Sequence, residues 1–470
     1  MSNTKYEITN SSKITFCLPN ECIYLEEFKT FLRELSRNLS DNLLDTELRN
    51  CVTRNNNETY SVEGGELQAE ILMQIWQQLQ VKQCPEHFKM AILKLIEEQI
   101  CGELKNAKIR EQLQIMRLAI GDNDEVNVCY DLLKLQKFIN QWVDKVLLHL
   151  SDNSKEENLK TYAECFNKSD KMLKVFSYAE CHIKNKPRKM EDRHTCMPRF
   201  SEMLNTKDMY SFYGVFDGHS GSLAATYAAN QLPYLISQQL KRRSLAQSQS
   251  DCDFHREAFE SAFLQADQNF AKKRICSGTT AVCALLKYNA EEMQHLYVAW
   301  VGDSRALLVS PTMQLQLVKA HKPDNIDERK RIESLEIGGA VMFVHGQWRV
   351  NGIINVSRSI GDSSVKAVIA EPDFVDIPLQ TAHDFLLLGS DGLWDHVAEK
   401  LIVQTVYKGL DDKEQSLEDI PKHLIELAKQ GDSQDNITAI LVLLKDRSKI
   451  NENYKRYQEN KNLIASRGKF

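Results

Sequence analysis

Three apolar runs beyond residue 200 of this chain are punctuated in the same way. Phe212-Tyr213-Gly214-Val215-Phe216 runs into Asp217-Gly218-His219-Ser220-Gly221. Phe385 to Gly389 runs into Ser390-Asp391-Gly392, and Asp435-Asn436 opens the run Ile437 to Leu444. Short apolar segments bounded by turn residues read as buried strands. Each of these has a carboxylate at its end, so a fold that gathers the strand ends also gathers the acids.

The same texture of short strands, glycine turns and a few helices begins near residue 171. A strand at Val175 to Tyr178 precedes Lys189-Met190-Glu191-Asp192-Arg193-His194, where two adjacent carboxylates follow a basic residue. Helical spacing covers Leu223 to Leu240, Phe254 to Lys273 and Asp327 to Leu335. Between them lie Ser277-Gly278-Thr279-Thr280 with its strand, then Val301-Gly302-Asp303-Ser304-Arg305 and Ser357-Arg358-Ser359-Ile360-Gly361-Asp362.

Gathered carboxylates repel unless a cation neutralises them, and an all-oxygen donor set suits hard divalent ions such as Mg²⁺ or Mn²⁺. Two such ions can hold a bridging hydroxide and aim it at phosphorus. His219, next to Asp217, is placed to protonate a departing alkoxide. Phosphate-ester hydrolysis fits this set best.

The 470 residues exceed what one core usually supports, and residues 1–150 differ in texture. Proline is scarce there, and Leu25 to Leu39, Leu67 to Leu79, Phe88 to Ile96 and Leu132 to Val146 carry apolar stripes at helical spacing. We expect an all-α N-terminal domain over 1–150, a polar linker over 151–170, a catalytic region over 171–446 and a polar basic tail over 447–470. Trp76 and Trp142 read as core, His87 and His149 as surface or capping residues, and Asp122-Asn123-Asp124 as a turn. Lys241-Arg242-Arg243-Ser244 reads as a solvated loop tip with the look of a basophilic-kinase target.

A net charge of −6 gives no reason to expect nucleic acid as a partner. Twelve cysteines without a Cys-x-x-Cys pair argue against a zinc ribbon or a dithiol redox motif. The N-terminus lacks a signal-peptide pattern and no apolar run is long enough to span a bilayer, so the expected setting is the cytoplasm or nucleus, with no membrane partner.

Taken in order, Met-Glu-Asp at 190–192, Phe-Asp-Gly-His-x-Gly at 216–221, Ser-Gly-Thr-Thr at 277–280, Val-Gly-Asp-Ser-Arg at 301–305, Ser-Arg-x-x-Gly-Asp at 357–362, Ser-Asp-Gly-Leu-Trp-Asp at 390–395 and Asp-Asn-Ile-Thr at 435–438 resemble the metal-dependent type 2C Ser/Thr protein phosphatases. Arg188 to His194 together with Trp348 to Gly352 look most like the subgroup acting on calmodulin-dependent kinases, which includes a nematode sex-determination relative. Members of that subgroup also carry an N-terminal extension.

The resemblance implies an α+β fold, two antiparallel sheets in a sandwich flanked by helices, with two Mg²⁺ or Mn²⁺ ions and a weaker third in some members. Asp217 would bridge the two ions, Glu191 and the Gly218 carbonyl would complete one site, and Asp391 and Asp435 the other. Asp192 would act through metal-bound water, Asp303 and Asp395 would join Asp391 at the third position, and His219 would be the general acid. Phosphoproteins, protein kinases among them, would be substrates, and the helical domain would bind a protein partner. The competing reading is a weakly active or inactive phosphatase-like scaffold acting through that domain.

Three departures from the family pattern stand out. Pro187 occupies the place of the usual phosphate-binding arginine, leaving Arg188 one position later for that role. Ser220 stands where glycine is usual, a strained choice if the loop needs a positive φ. The stretch Leu335 to Gly339 is two residues longer than usual, which we read as a surface change.

Overall fold

The computed structural model describes residues 28, 30–35, 59–117, 127–152, 176–204, 208–242, 250–289 and 293–467. The expected breaks at Asn55 to Asn57 and Gly121 to Asp124, most of the linker, and Ser244 lie outside the described residues, as does the side chain of His87. The chain divides into two compact units, Met1–Leu173 and Lys174–Phe470.

The first unit is built on helices α1 (Leu67–Val81), α2 (Glu86–Glu103), α3 (Ala107–Leu113) and α4 (Leu132–Asp152). Their apolar stripes meet, with Ile75, Leu79, Ile92, Ile96, Leu135 and Ile139 buried and the Phe28 and Phe88 rings 4.7 Å apart. Trp76 and Trp142 are core residues, as their spacing implies. The unit is not purely helical, however. Strands β1 (Ser61–Glu63), β2 (Gln114–Arg117) and β3 (Asn127–Asp131) form an antiparallel sheet in the order β1-β3-β2. These segments are too short and too mixed in polarity to show a period of two, which is why the sequence hides them.

In the second unit, chain order gives strands β4 (Tyr178–Ile183), β5 (Arg193–Met197), β6 (Met209–Phe216), β7 (Gly218–His219), β8 (Gly278–Thr279) and β9 (Ala281–Tyr288). Then come β10 (Met293–Val301), β11 (Arg305–Val309), β12 (Gln314–Gln316), the hairpin β13 (Val341–Val344) and β14 (Gln347–Val350), and β15 (Ile360–Gly361). The last strands are β16 (Asp373–Pro378), β17 (Phe385–Gly389) and β18 (Ile437–Leu443). Two five-stranded antiparallel sheets result, ordered β16-β10-β9-β6-β5 and β12-β11-β17-β18-β4. This is the α+β sandwich the motifs imply.

Strand alternation sorts the side chains into layers. Val215, Val282, Ala284, Leu296 and Val298 from one sheet meet Leu308, Leu386, Leu388, Ile440 and Val442 from the other in the inter-sheet core. The alternate residues Leu307, Leu387, Ala439 and Leu441 face outward and are covered by helices over Glu399–Asp411 and Asp419–Gln430. Both faces are therefore dry, which explains why β17 and β18 are buried at every position and, Thr438 apart, carry no polar side chain, rather than alternating. The other sheet carries the helices Leu223–Lys241 and Asp251–Ala271, the latter capped by the Ser250 hydroxyl, which accepts from the Asp253 N–H at 3.1 Å.

Residues 447–470, expected as a polar tail, are instead helical over Arg447–Arg467. Ile450 is buried and Tyr454 stacks on Tyr407 at 3.9 Å, so two apolar side chains one turn apart dock an otherwise polar helix. Glu336 and Ile337, in the lengthened stretch after the helix Ile326–Glu333, are exposed, in keeping with a surface change. Among the described residues no helix is long and apolar enough to cross a membrane.

Candidate metal and phosphate site

β6 runs directly into Asp217, whose backbone is held from two directions. Its carbonyl accepts from the Thr280 N–H at 2.9 Å and from the Thr279 hydroxyl at 3.0 Å. Gly278 completes this clamp by omission, because a Cβ there would collide with both Asp362 and the His219 ring. The Ser-Gly-Thr-Thr motif is thus a holder for the Asp217 to His219 corner rather than a source of ligands.

The acids converge from both sheets. Asp192, just before β5, is buried and accepts from the Ser390 hydroxyl at 2.9 Å and the Thr438 hydroxyl at 2.7 Å. Burial pushes its carboxyl up, and Asp435 pushes the same way, while Asp217 hydrogen-bonds to it. Burial drives the Asp217 carboxyl well above the ordinary range, reinforced by Asp192, Asp391, Asp303 and Asp435. Asp391 rises to about 8 through burial and the charges of Asp303 and Asp435. The structure therefore brings Asp192, Asp217, Asp303, Asp391, Asp395 and Asp435 within electrostatic reach of one another.

Glu191 joins them through its backbone. Its N–H donates to the Asn436 side-chain oxygen at 2.7 Å, and its carbonyl lies so close to Gly218 that a Cβ on that glycine would overlap it. The Asn436 amide also donates to the carbonyls of Lys184 at 2.7 Å and Lys189 at 3.1 Å. One side chain thereby pins the whole 184–191 segment to the start of β18. Arg188, on that segment, is exposed, and among the described residues no hydrogen bond or ion pair ties it to the acids. Pro187 contributes its carbonyl to Lys184 Nζ at 2.7 Å.

His219 Nε2 lies 2.7 Å from Asp362 Oδ2, and the Ser359 hydroxyl donates to the same oxygen at 2.5 Å. Sequence reasoning set out the Gly361-Asp362 pair but gave it no role; the partner lies 143 residues away, and only the β7-β8-β15 ladder joins them. Ser220 sits at φ +57° and Gly221 at +117°, so the loop does require the left-handed region at the serine.

Lys322, another residue the sequence does not flag, forms an ion pair with Asp303. Burial works against its charge, but Asp303, Asp391 and Asp395 more than compensate and hold it protonated. Arg305 pairs with Asp395 at 2.9 Å. Arg358 turns away from the acids to bridge Glu328 at 2.6 Å and Asp373 at 3.0 Å, which makes it a brace between the helix Ile326–Glu333 and β16.

Oxygen donors gathered in this way, with the Asp192, Asp217 and Asp391 carboxyls raised by burial and neighbouring negative charge, are what a hard divalent cation relieves. Soft or nitrogen ligands are not among them, so the donor set fits Mg²⁺ or Mn²⁺ rather than a thiolate-seeking metal.

Comparison with known proteins points the same way. The chain is 38% identical over 275 residues to mouse and human proteins named protein phosphatase 1E, a match covering 57% of this chain and 34% of each relative. It is 36% identical over 271 residues to human protein phosphatase 1F, covering 56% of each. The chain thus spans between a third and about half the length of these relatives. A solved structure of a C. elegans sex determining protein shares the fold at TM-score 0.70 and 21% identity, over 91% of this chain and 97% of that one. Residues 176–437 match the protein phosphatase 2C family model, and with more than half of its length so matched the chain belongs to that family.

Proposed function

We propose that this chain hydrolyses phosphoserine and phosphothreonine in protein substrates, using two Mg²⁺ or Mn²⁺ ions. The observation that carries the reading is the convergence of Asp192, Asp217, Asp391 and Asp435, with the carboxyls of Asp192, Asp217 and Asp391 driven upward by burial and neighbouring negative charge. Groups so destabilised are expected where cations and a phosphoryl group are to be bound.

When bound, the ions supply Lewis acidity to the phosphoryl oxygens and a water acidified toward neutral pH. Asp217 would serve both ions, Glu191 and the Gly218 carbonyl one of them, and Asp391 and Asp435 the other. Asp192, oriented by Ser390 and Thr438, is the acceptor for water in the site. Asp303 and Asp395 would join Asp391 at a weaker third position, where Lys322 and Arg305 supply balancing charge.

His219 is the proposed general acid. With Nε2 engaged by Asp362, the other ring nitrogen, Nδ1, is left to carry a proton to the departing serine or threonine oxygen. Arg188 is the proposed phosphate contact in place of the arginine that Pro187 displaces. Protein kinases are proposed among the substrates, with a protein partner for the helical unit and a location in the cytoplasm or nucleus.

The test is hydrolysis of a phosphothreonine peptide by the full chain with Mn²⁺ and after EDTA. Turnover confined to the Mn²⁺ sample is expected; equal rates, or none in either, would defeat the proposal.

A further inference from the structure

A second group of ligand-type side chains lies apart from the acids described above, where the two sheets' edge strands face each other. β4 closes one sheet and β5 closes the other. Tyr178, Glu180 and His182 share one face of β4, and Tyr178 packs against the inter-sheet core. On β5, Cys196 belongs to that core, and His194 shares its face. The apolar filling of the sandwich therefore ends in Glu180, His182 and His194.

Glu180 Oε2 is 3.1 Å from His182 Nδ1 and 3.4 Å from His194 Nε2. All three candidate ligand atoms lie within 4.8 Å of one another. Two ligands held ~2.1 Å from one ion at a tetrahedral angle are themselves ~3.4 Å apart, so the spacing matches a tetrahedral edge. The imidazole planes are tilted by 43° with centroids 4.6 Å apart, which leaves them unstacked. Side-chain exposures of 45% for His182, 24% for Glu180 and 14% for His194 leave a path for an ion from solvent. Burial alone would raise the Glu180 carboxyl, but hydrogen bonds from both imidazoles hold it well below the usual range. It is ready as an anionic ligand.

The geometry points to a binding site for one first-row divalent cation of the Zn²⁺ type, formed by Glu180, His182 and His194, with water completing the shell. Two imidazoles and one carboxylate suit such an ion, whereas Mg²⁺ and Mn²⁺ favour the oxygen-only cluster. The ion would join β4 to β5 and so close the edge of the sandwich. It would also fix both ends of the segment 184–192, which carries Glu191 and Asp192.

The test is calorimetric titration of Zn²⁺ into the full chain at pH 7.5, under a thiol-free reductant, with saturating Mg²⁺ to occupy the oxygen-only cluster. Wild type is expected to take up one more equivalent than His182→Ala, a surface variant whose fold is checked by circular dichroism. Glu180→Gln and His194→Gln should weaken the same event at least tenfold. Cobalt(II) should give visible absorption bands of tetrahedral intensity in wild type that are lost in His182→Ala. Equal stoichiometry and affinity in wild type and all three variants would overturn the site, as would cobalt bands that persist in His182→Ala.

Discussion

Asp391→Asn is expected to stabilise the metal-stripped protein while abolishing its metal-dependent turnover. Burial, Asp303 and Asp435 push the Asp391 carboxyl up to about 8, with Lys322 pulling the other way. In the unfolded chain the same group titrates near ~4. Between those values the folded state binds the extra proton, so the stability of the chelated protein falls as pH rises from about 4 to about 8. At ~1.4 kcal/mol per pH unit the whole window amounts to ~5–6 kcal/mol. Asp391 is partly exposed and water screens it, so about half that figure, ~2–3 kcal/mol, is the working estimate. An amide carries no such charge, and Asp391→Asn should recover this amount at pH 8 but ~1 kcal/mol or less at pH 5. In scanning calorimetry with EDTA, that corresponds to a rise of roughly 5 °C or more at pH 8 for a domain of this size. With Mn²⁺ the order should reverse, because only wild type gains from the ion. A variant that melts at or below wild type in EDTA at pH 8, or one whose gain is undiminished at pH 5, would refute the reasoning.

Other substitutions separate positioning from chemistry. Asp362→Asn should lower kcat for alkyl phosphopeptides by ~10-fold, with KM little changed and a smaller loss for aryl phosphates, because a poorer leaving group depends more on His219; equal losses on both would remove Asp362 from that role. Asn436→Ala releases the 184–191 segment and should raise the Mn²⁺ concentration for half-maximal activity by ~10-fold, so an unchanged metal titration would count against it. Lys445 lies 2.6 Å from the fully buried Asp384, which also accepts from the Tyr407 hydroxyl at 2.8 Å. Lys445→Met strands that carboxylate and should cost about 3–5 kcal/mol, and a calorimetric loss under ~1 kcal/mol would show that Tyr407 suffices.

Strands, their apolar faces and their terminal acids were legible because each is a local pattern. β17, β18 and the acids Asp217, Asp391 and Asp435 could be read from a dozen residues at a time. The supporting contacts could not, since they join distant residues through backbone groups. Asn436 meets the Glu191 N–H across 245 residues, and Ser390 meets Asp192 across 198. Lys322 sits in an unremarkable basic stretch, and nothing in the sequence places it beside Asp303. The helix Arg447–Arg467 was hidden for another reason, being polar almost throughout, with Ile450 and Tyr454 as its apolar contacts and Arg447 and Asn451 docking it through hydrogen bonds to distant backbone carbonyls. Ser220 shows a middle case: the departure from glycine was visible, but only the fold reveals the φ of +57° that makes it a strained residue.

The acids do not come from one sheet. Asp217 follows β6 and Asp192 precedes β5 in one sheet, while Asp391 follows β17 and Asp435 precedes β18 in the other. Their separation is therefore set by how the sheets pack, through side chains such as Val215, Val282, Leu388 and Ile440 that no ligand touches. Packed interiors transmit small volume changes because they contain few voids. A core so dry at this level holds the two halves of the acidic cluster at one distance against their own repulsion. The clamps at Thr279, Thr280, Ser390 and Asn436 then orient each acid locally. Such a division of labour explains why the motifs are long: each carboxylate travels with the hydroxyl, amide or glycine that aims it, while the spacing between motifs belongs to the sandwich.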